Sequence, residues 1–136
     1  MRKKNAAWYG KAGENSTIWD SPSPKFIMGG ADEDKYDHPT QKPIELMRRP
    51  ILNHLRRGEL VYDPFLGSGT TLAAAELNER VCFGMELDPK YVDVVVQRWQ
   101  QLTRKEATLE GDGRTSAQLK AERAGTERTE RRRQAE

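Results

Sequence analysis

Residues 63–71 (DPFLGSGTT) constrain the fold of this chain more than any other part of its sequence. They lie directly after an apolar run at residues 60–62 and directly before an alanine-rich helical run at residues 72–77. An acidic residue at a strand end, followed by a turn of small residues and a helix start, is typical of α/β folds that hold a nucleotide-like ligand. The glycines let the backbone approach that ligand closely, and N–H groups of the first helical turn face it.

A second acidic residue, Glu86, ends the next apolar run at residues 81–85. A carboxylate at the end of the second strand is well placed to accept hydrogen bonds from both hydroxyls of a ribose. The two acidic strand ends together predict a cofactor of the adenosine type.

The residues around the glycines favour one cofactor of this type. No lysine follows Gly69, as a phosphate-binding P-loop requires, and Leu72 occupies the position where a dinucleotide fingerprint has a third Gly or Ala. Asp63 would repel a pyrophosphate but suits a cationic ligand. S-adenosylmethionine (SAM) carries a sulfonium and an α-amino group and no phosphate, so SAM is favoured. A fragment of a dinucleotide-binding oxidoreductase is the alternative.

Three segments resemble motifs of the DNA amino-methyltransferases, which methylate adenine N6 or cytosine N4. Residues 63–71 are similar to the SAM-binding motif of that family, and residues 38–43 (HPTQKP) to the segment placed just before it. Residues 85–91 (MELDPKY) resemble the ribose-binding strand end and the helix that follows. This order resembles the permuted subgroup, in which the catalytic half precedes the SAM half. The resemblance covers residues 17–113 and leaves adenine and cytosine both open as targets.

The resemblance implies a set of cofactor-binding residues. Asp63 would accept a hydrogen bond from the amino group of SAM, and Glu86 would hold the ribose hydroxyls. Phe65 would pack near the sulfonium or the adenine, Thr70 would cap the helix or reach the cofactor carboxylate, and Lys42 would lie near that carboxylate. The full set comprises Thr40, Gln41, Lys42, Asp63, Phe65, Gly67, Ser68, Gly69, Thr70 and Glu86.

The remaining members of the set would shape the pocket. The backbone of residues 67–69 would line the amino-acid and ribose side, while Thr40 and Gln41 would help to close the pocket. The alternative interpretation of Asp63 and residues 67–69 is a structural turn, and that of Glu86 is a solvated strand end.

The catalytic tetrapeptide of the family, Asp/Asn/Ser-Pro-Pro-Tyr/Phe/Trp, is absent, because no two prolines are adjacent in the 136 residues. In residues 20–26 (DSPSPKF) the prolines are interrupted, and Asp63-Pro64-Phe65 already belongs to the glycine loop. In the permuted order the motif is expected upstream of Met1. The chain is therefore expected to be the SAM-binding half, to contain no catalytic residue, and to bind cofactor more readily than it methylates.

The resemblance also implies partners. In the family's sheet, the strand that carries the catalytic motif lies beside the strand ending at Asp63. Without it, unpaired backbone groups and apolar side chains would be exposed. We therefore expect the chain to dock onto a catalytic-half partner, to self-associate, or to be marginally stable, and the complete enzyme to bind double-stranded DNA. A non-catalytic SAM- or DNA-binding accessory subunit and a gene remnant are alternatives.

The predicted fold is α/β, a partial Rossmann-like methyltransferase fold with a mostly parallel sheet flanked by helices. A loop-rich segment (1–37) precedes a SAM-binding subdomain (38–113) and a charged, flexible tail (114–136), in which a transient helix is plausible. The predicted elements are helices at 43–57, 69–79 and 89–103, strands at 60–62 and 81–86, and a weak third strand at 107–109. The buried side chains of the last helix are expected to be Val92, Val95, Val96 and Trp99.

Composition adds few constraints. The net charge of +2 argues only weakly for nucleic acid, and the single cysteine excludes an intramolecular disulfide. Cys82 is expected to be buried packing, and neither His38 nor His54 has partners at metal-ligand spacing, so no metal site is expected. Residues 131–133 (RRR) favour a solvated tail over a DNA contact. No signal peptide or membrane span is evident, and the expected compartment is the cytoplasm.

Overall fold

A computed structural model of the chain describes residues 7–11, 16–21 and 42–134. The chain divides into two compact units, Met1–Arg98 and Trp99–Glu136. Strands and helices alternate through the first unit, which confirms the predicted α/β class. The elements are α1 (Ile44–His54), β1 (Leu60–Asp63), α2 (Thr70–Leu77), β2 (Val81–Gly84), α3 (Pro89–Thr103) and α4 (Ser116–Gln134).

The two strands form a parallel pair in which Leu60 is opposite Val81 and Asp63 is opposite Gly84. Parallel neighbours require a crossover connection, and α2 supplies it. Main-chain bonding continues beyond the strand ends, because Met85 N–H donates to the Asp63 carbonyl at 2.9 Å. The carboxyl ends of both strands therefore lie side by side, at the edge where the acidic residues were predicted.

The hydrophobic core lies on one face of this sheet. Ile51, Ala74 and Ala75 form its buried centre, and Val61 and Cys82 pack against that centre from the strands. The alanines of α2 are almost fully buried, so α2 packs closely against α1.

Cys82 was predicted to be buried; it is partly buried and packs against the core from the middle of β2. Its burial, aided by the negative charge of Asp63, raises the pKa of the thiol to about 11. The thiol is therefore protonated at neutral pH and behaves as a small apolar group.

The opposite face of the sheet is apolar and exposed. Leu60 and Tyr62 of β1 and Val81 and Phe83 of β2 alternate with the core residues, as the two-residue period of a strand requires. Their exposed fractions range from 43% at Val81 to 61% at Phe83. Within the described residues β1 pairs with β2 alone. The exposed apolar side chains expected from the sequence are thus present on this face.

Helix α1 ends at His54, three residues before the predicted end. Leu55 adopts an extended conformation while its N–H still donates to the Ile51 carbonyl at 2.9 Å. Arg80 Nη2 donates to the Leu55 carbonyl at 2.6 Å, so a carbonyl at the helix end gains a partner outside the helix. The early end is therefore set by a contact from a distant part of the sequence.

The buried face of α3 differs from the prediction, and Val96 and Trp99 are only partly buried. Val95 is 7% exposed, as expected, but Val92 is 40% exposed, so its predicted burial is wrong. Arg98, only 4% exposed, is buried instead. It lies three residues after Val95 and therefore on the same side of the helix.

The second unit contains no strand at residues 107–109; the predicted third strand is wrong. Thr108 and Thr115 instead form an isolated antiparallel bridge, closed by a hydrogen bond of 2.8 Å from Leu109 N–H to the Arg114 carbonyl. The turn includes Gly111 and Gly113, both with positive φ. The chain reverses within a few residues here, which leaves no length for a strand.

Helix α4 occupies most of the segment predicted as a flexible tail. Thr115 Oγ1 accepts a hydrogen bond from Gln118 N–H at 3.3 Å, and Gln118 Oε1 accepts one from Thr115 N–H at 2.8 Å. This reciprocal pair is a capping box, and the residues that follow are rich in Ala, Arg and Glu, which favour helix. The start of α4 is therefore explained by a local sequence signal. None of the described helices is long and apolar enough to span a membrane. The domain boundaries given above remain predictions.

We expect Thr115→Ala to destabilise the start of α4 by about 1 kcal/mol, because the helix loses its N-terminal cap. The matched control is Thr126→Ala, which removes a hydroxyl bonded to the Glu122 carbonyl inside the same helix and introduces a better helix former. Amide hydrogen exchange at residues 116–120 measures the difference. Equal acceleration in both variants would contradict the capping role.

Candidate functional site

The loop between β1 and α2 requires glycine at position 69. Gly69 has a φ of 77°, in the left-handed region, and is the N-cap residue of α2. A Cβ at this position would lie 3.1 Å from both methyl carbons of Val95. Backbone conformation and the packing of Val95 therefore both disfavour a side chain here.

Asp63 ends β1 with both carboxylate oxygens engaged. Oδ1 accepts a hydrogen bond from Phe65 N–H at 3.0 Å, and Oδ2 accepts one from Thr71 Oγ1 at 2.6 Å. These bonds fix the carboxylate between the first residues of the loop and the first turn of α2. A carboxylate has about four lone-pair positions, so Asp63 keeps the capacity to accept further hydrogen bonds.

Glu86 lies against the same loop from the end of β2. Its Oε2 accepts a hydrogen bond from Gly67 N–H at 2.8 Å, and its Oε1 accepts one from Asp88 N–H at 3.0 Å. The carboxylate therefore holds the glycine loop in place and also orders the chain that leads into α3. The structure thus brings both predicted acidic residues, Asp63 and Glu86, to one loop.

A cavity of about 200 Å³ adjoins the loop. This volume is smaller than the roughly 300–1,000 Å³ of typical small-molecule sites, so a nucleoside-sized ligand would extend beyond it. Phe65 lines the cavity yet is 87% exposed. The lining residues are Lys42, Met47, Asp63, Phe65, Leu66, Gly67, Ser68, Thr70 and Thr71.

Most of the predicted site residues gather at this cavity, and the exceptions are specific. Gly69 is part of the loop and Glu86 binds to it, but neither residue lines the cavity. Thr40 and Gln41 lie outside the described residues, so their predicted roles remain predictions. The N-cap residue of α2 is Gly69, whereas Thr70 is the first residue of the helix and its hydroxyl donates to the Lys42 carbonyl at 3.1 Å. The helix-capping alternative for Thr70 is therefore wrong.

Arg98 is a member of the site that the sequence reasoning missed. Its Nη1 donates to the Ser68 carbonyl at 3.0 Å and to Thr70 Oγ1 at 3.2 Å. The available signal was its position three residues after Val95, on the face of α3 that packs against Gly69. Arginine on a helix is usually solvated, so the apolar periodicity of α3 alone did not predict that Arg98 is buried at the site.

Of the two histidines considered from the sequence, His54 makes structural contacts, and His38 lies outside the described residues. His54 Nδ1 lies 2.8 Å from the Ala7 carbonyl, and its ring packs edge-on against Trp8. Among the residues that the structure describes, no group of three or more His, Cys, Asp or Glu side chains could hold a metal ion.

The family model described as DNA methylase, of the N6/N4 class, matches residues 1–97. The chain belongs to this family. The resemblance drawn from the sequence is therefore confirmed.

Individual DNA methylases match shorter stretches. DNA adenine methyltransferase YhdJ of Escherichia coli (strain K12) is 39% identical over 82 residues, which cover 60% of this chain and 26% of that protein. Type II methyltransferase M2.MboI of Moraxella bovis is 33% identical over 90 residues, covering 66% of this chain and 32% of that protein. The match thus spans about a quarter to a third of the length of these two relatives.

Solved structures of methylases also match. The crystal structure of the M1.HpyAVI–SAM complex superposes with a TM-score of 0.49 at 31% identity and covers 67% of this chain and 42% of that one. A putative DNA modification methylase of Thermus thermophilus, complexed with S-adenosyl-L-methionine, has a TM-score of 0.44 at 32% identity. That match covers 54% of this chain and 28% of the Thermus chain.

We expect Gly69→Ala to destabilise the first unit more than Gly58→Ala. Gly58 has a similar positive φ but nothing within 4 Å of an added Cβ, so Gly58→Ala carries only the backbone cost of about 1–2 kcal/mol. Gly69→Ala also forces the new methyl group against Val95, whose branched side chain has little rotamer freedom, and costs about 1 kcal/mol more. Urea unfolding of the two variants measures this difference. Equal losses of unfolding free energy in the two variants would show that Val95 moves away from the added methyl group without a measurable cost.

Proposed function

We propose that this chain forms the SAM-binding part of a site-specific DNA methyltransferase that methylates the exocyclic amine of adenine (N6) or cytosine (N4). The observation that carries the proposal is the arrangement of two carboxylates that both bind the glycine loop: Asp63 ends β1, and Glu86 lies two residues after the end of its parallel partner β2. Membership of the DNA methylase family supports the reaction class, and the relatives named above are methyltransferases.

The charges of the site support SAM over other adenosine-type cofactors. Two carboxylates at the loop attract a ligand that carries an ammonium and a sulfonium, and they repel a pyrophosphate. The two Glu86 oxygens accept main-chain hydrogen bonds from Gly67 and Asp88, so the carboxylate that would bind the ribose hydroxyls is held in place beside the loop. Family membership leaves the dinucleotide-binding oxidoreductase alternative without support.

The other residues of the proposed pocket have complementary roles. Asp63 accepts from the amino group of the methionine part, and the backbone of residues 67–69 lines that part. Phe65 offers an exposed aromatic face to the adenine or the sulfonium. Lys42, at the cavity wall, supplies a positive charge for the cofactor carboxylate.

The proposed division of labour follows from the chemistry. SAM supplies an activated methyl group, so the protein has to align it and exclude water more than to activate it. The target base must leave the duplex to be reached, and its amine is a poor nucleophile because its lone pair is delocalised into the ring. The Pro-Pro tetrapeptide that would polarise this amine is not among the 136 residues. We therefore assign cofactor binding to this chain and no catalytic residue.

The proposed partners are double-stranded DNA and a polypeptide that contributes the catalytic part. The exposed apolar face of the sheet supports a second polypeptide, since patches of this kind mark contact surfaces. A mainly apolar groove of about 370 Å³ along α1 and β1 adds to this surface. Self-association and a non-catalytic accessory role use the same face. DNA and SAM are both available in the cytoplasm of a bacterial cell, which is the proposed compartment.

We expect Asp63→Asn to weaken SAM binding at least tenfold, because the amide removes the negative charge that the cofactor's ammonium requires. Asp93→Asn is the matched control, since Asp93 is exposed on α3 and does not line the cavity. Isothermal titration calorimetry with SAM measures both variants, and NADH is expected not to bind. Unchanged affinity in Asp63→Asn would place the cofactor elsewhere.

We expect Phe83→Ser to reduce the binding of a hydrophobic dye and any self-association, because it removes an exposed ring from the sheet face. Leu87→Ser is the control, since Leu87 is 98% exposed but lies outside both strands. Dye fluorescence and sedimentation velocity report the two effects. A monomer that melts cooperatively and binds no dye would contradict the exposed-face proposal.

A further inference from the structure

Arg98 carries a buried charge into the base of the proposed SAM site. Its guanidinium is removed from water, and a charge in such a place is retained only when it is hydrogen-bonded. A side chain needed only to fill space would be apolar at this position. Two of its acceptors are the Ser68 carbonyl, in the connection between β1 and α2, and Thr70 Oγ1, at the start of α2.

The first of these bonds fixes a peptide unit of the glycine loop. The Ser68 carbonyl accepts from Arg98, while the N–H of the same peptide unit, on Gly69, donates to the Leu66 carbonyl at 2.9 Å. Glycines lie on both sides of Ser68, so without such bonds the backbone has access to several conformations. With both ends bonded, rotation of the peptide plane would break two hydrogen bonds.

The second bond connects α3 to the segment before α1. A hydroxyl has one proton to donate and two lone pairs. Because Thr70 Oγ1 accepts from Arg98, its proton is available for the Lys42 carbonyl, which it reaches at 3.1 Å. Lys42, Ser68 and Thr70 all line the cavity. The Arg98 guanidinium therefore holds the glycine loop and the Lys42 backbone, which both line the cavity, in fixed positions relative to each other.

We propose that Arg98 is a positioning residue for the SAM pocket. It sets the glycine loop and the Lys42 backbone in their binding geometry through Ser68 and Thr70. The proposal rests on the function proposed above and adds a residue of α3 to the residues that determine cofactor affinity.

A purely structural arginine is the competing explanation, and the chain offers one for comparison. Arg80 donates to the Asn78 and Leu55 carbonyls, at the other end of α2 from the loop, and does not line the cavity. Arg80→Met removes a part-buried guanidinium whose two acceptors are these main-chain carbonyls. It is therefore a matched control for Arg98→Met.

The test compares SAM affinity, by calorimetry, with the free energy of unfolding in urea for the same variants. We expect Arg98→Met to weaken SAM binding by tenfold or more in samples shown to be folded by circular dichroism. Arg98→Lys should recover part of that loss, because an ammonium still donates to one of the two acceptors. Arg80→Met should lower stability and leave the SAM dissociation constant within twofold of wild type.

A double-mutant cycle tests the route through Thr70. Thr70→Val removes the hydroxyl at nearly constant volume, and its effect on SAM affinity should not add to that of Arg98→Met, because both remove the same connection. If Arg98→Met fails to fold, the SAM affinities of Thr70→Val and Arg98→Lys are compared with that of the wild type instead. Wild-type affinity in both would overturn the positioning role.

The outcomes separate this proposal from the function on which it rests. A folded wild-type chain that binds no SAM overturns the proposed function and the role of Arg98 together. Wild-type binding with an unchanged dissociation constant in folded Arg98→Met overturns the role of Arg98 alone.

Discussion

The main chain of Met85 connects the sheet to the site. Its N–H donates to the Asp63 carbonyl and its carbonyl accepts from Leu66 N–H, both at 2.9 Å, so pairing between the two chain segments continues past the end of β2. This continuation places Glu86 beside Gly67 and thereby connects the second acidic strand end to the glycine loop. If the strands were shifted by one residue, Glu86 would no longer reach this N–H, because successive side chains alternate in direction.

The polar groups of the site are ordered by the protein's own contacts. Asp63 and Glu86 are each held by two hydrogen bonds, and the Ser68 carbonyl is held by Arg98. A ligand that meets groups already in place loses less free energy to ordering them. The acidic residues, the glycine turn and the buried guanidinium therefore act as one preorganised unit.

The sequence predicted the parts of the fold that depend on local patterns. The sheet, α2 and α3 follow from apolar periodicity and turn residues, and Asp63 and Glu86 follow from their places at strand ends. Features that depend on distant contacts were not predicted: α1 ends where Arg80 reaches Leu55, and Arg98 is buried because the glycine loop accepts its hydrogen bonds. Helix α4 is a different case. The Thr115–Gln118 spacing is a local signal for a helix start, but the charged composition of the segment favoured a flexible tail.

The close approach of α1 and α2 also limits which amino-acid substitutions the chain can tolerate during evolution. Ala74 and Ala75 have no exposed surface, and Ile51 lies in the same cluster. Every replacement except glycine adds volume to a space that is already filled, and glycine weakens the helix. The smallest side chains of the molecule are thus among its least replaceable. In a deep mutational scan these positions would show a depletion as severe as that of the glycine loop, although neither alanine lines the cavity beside that loop.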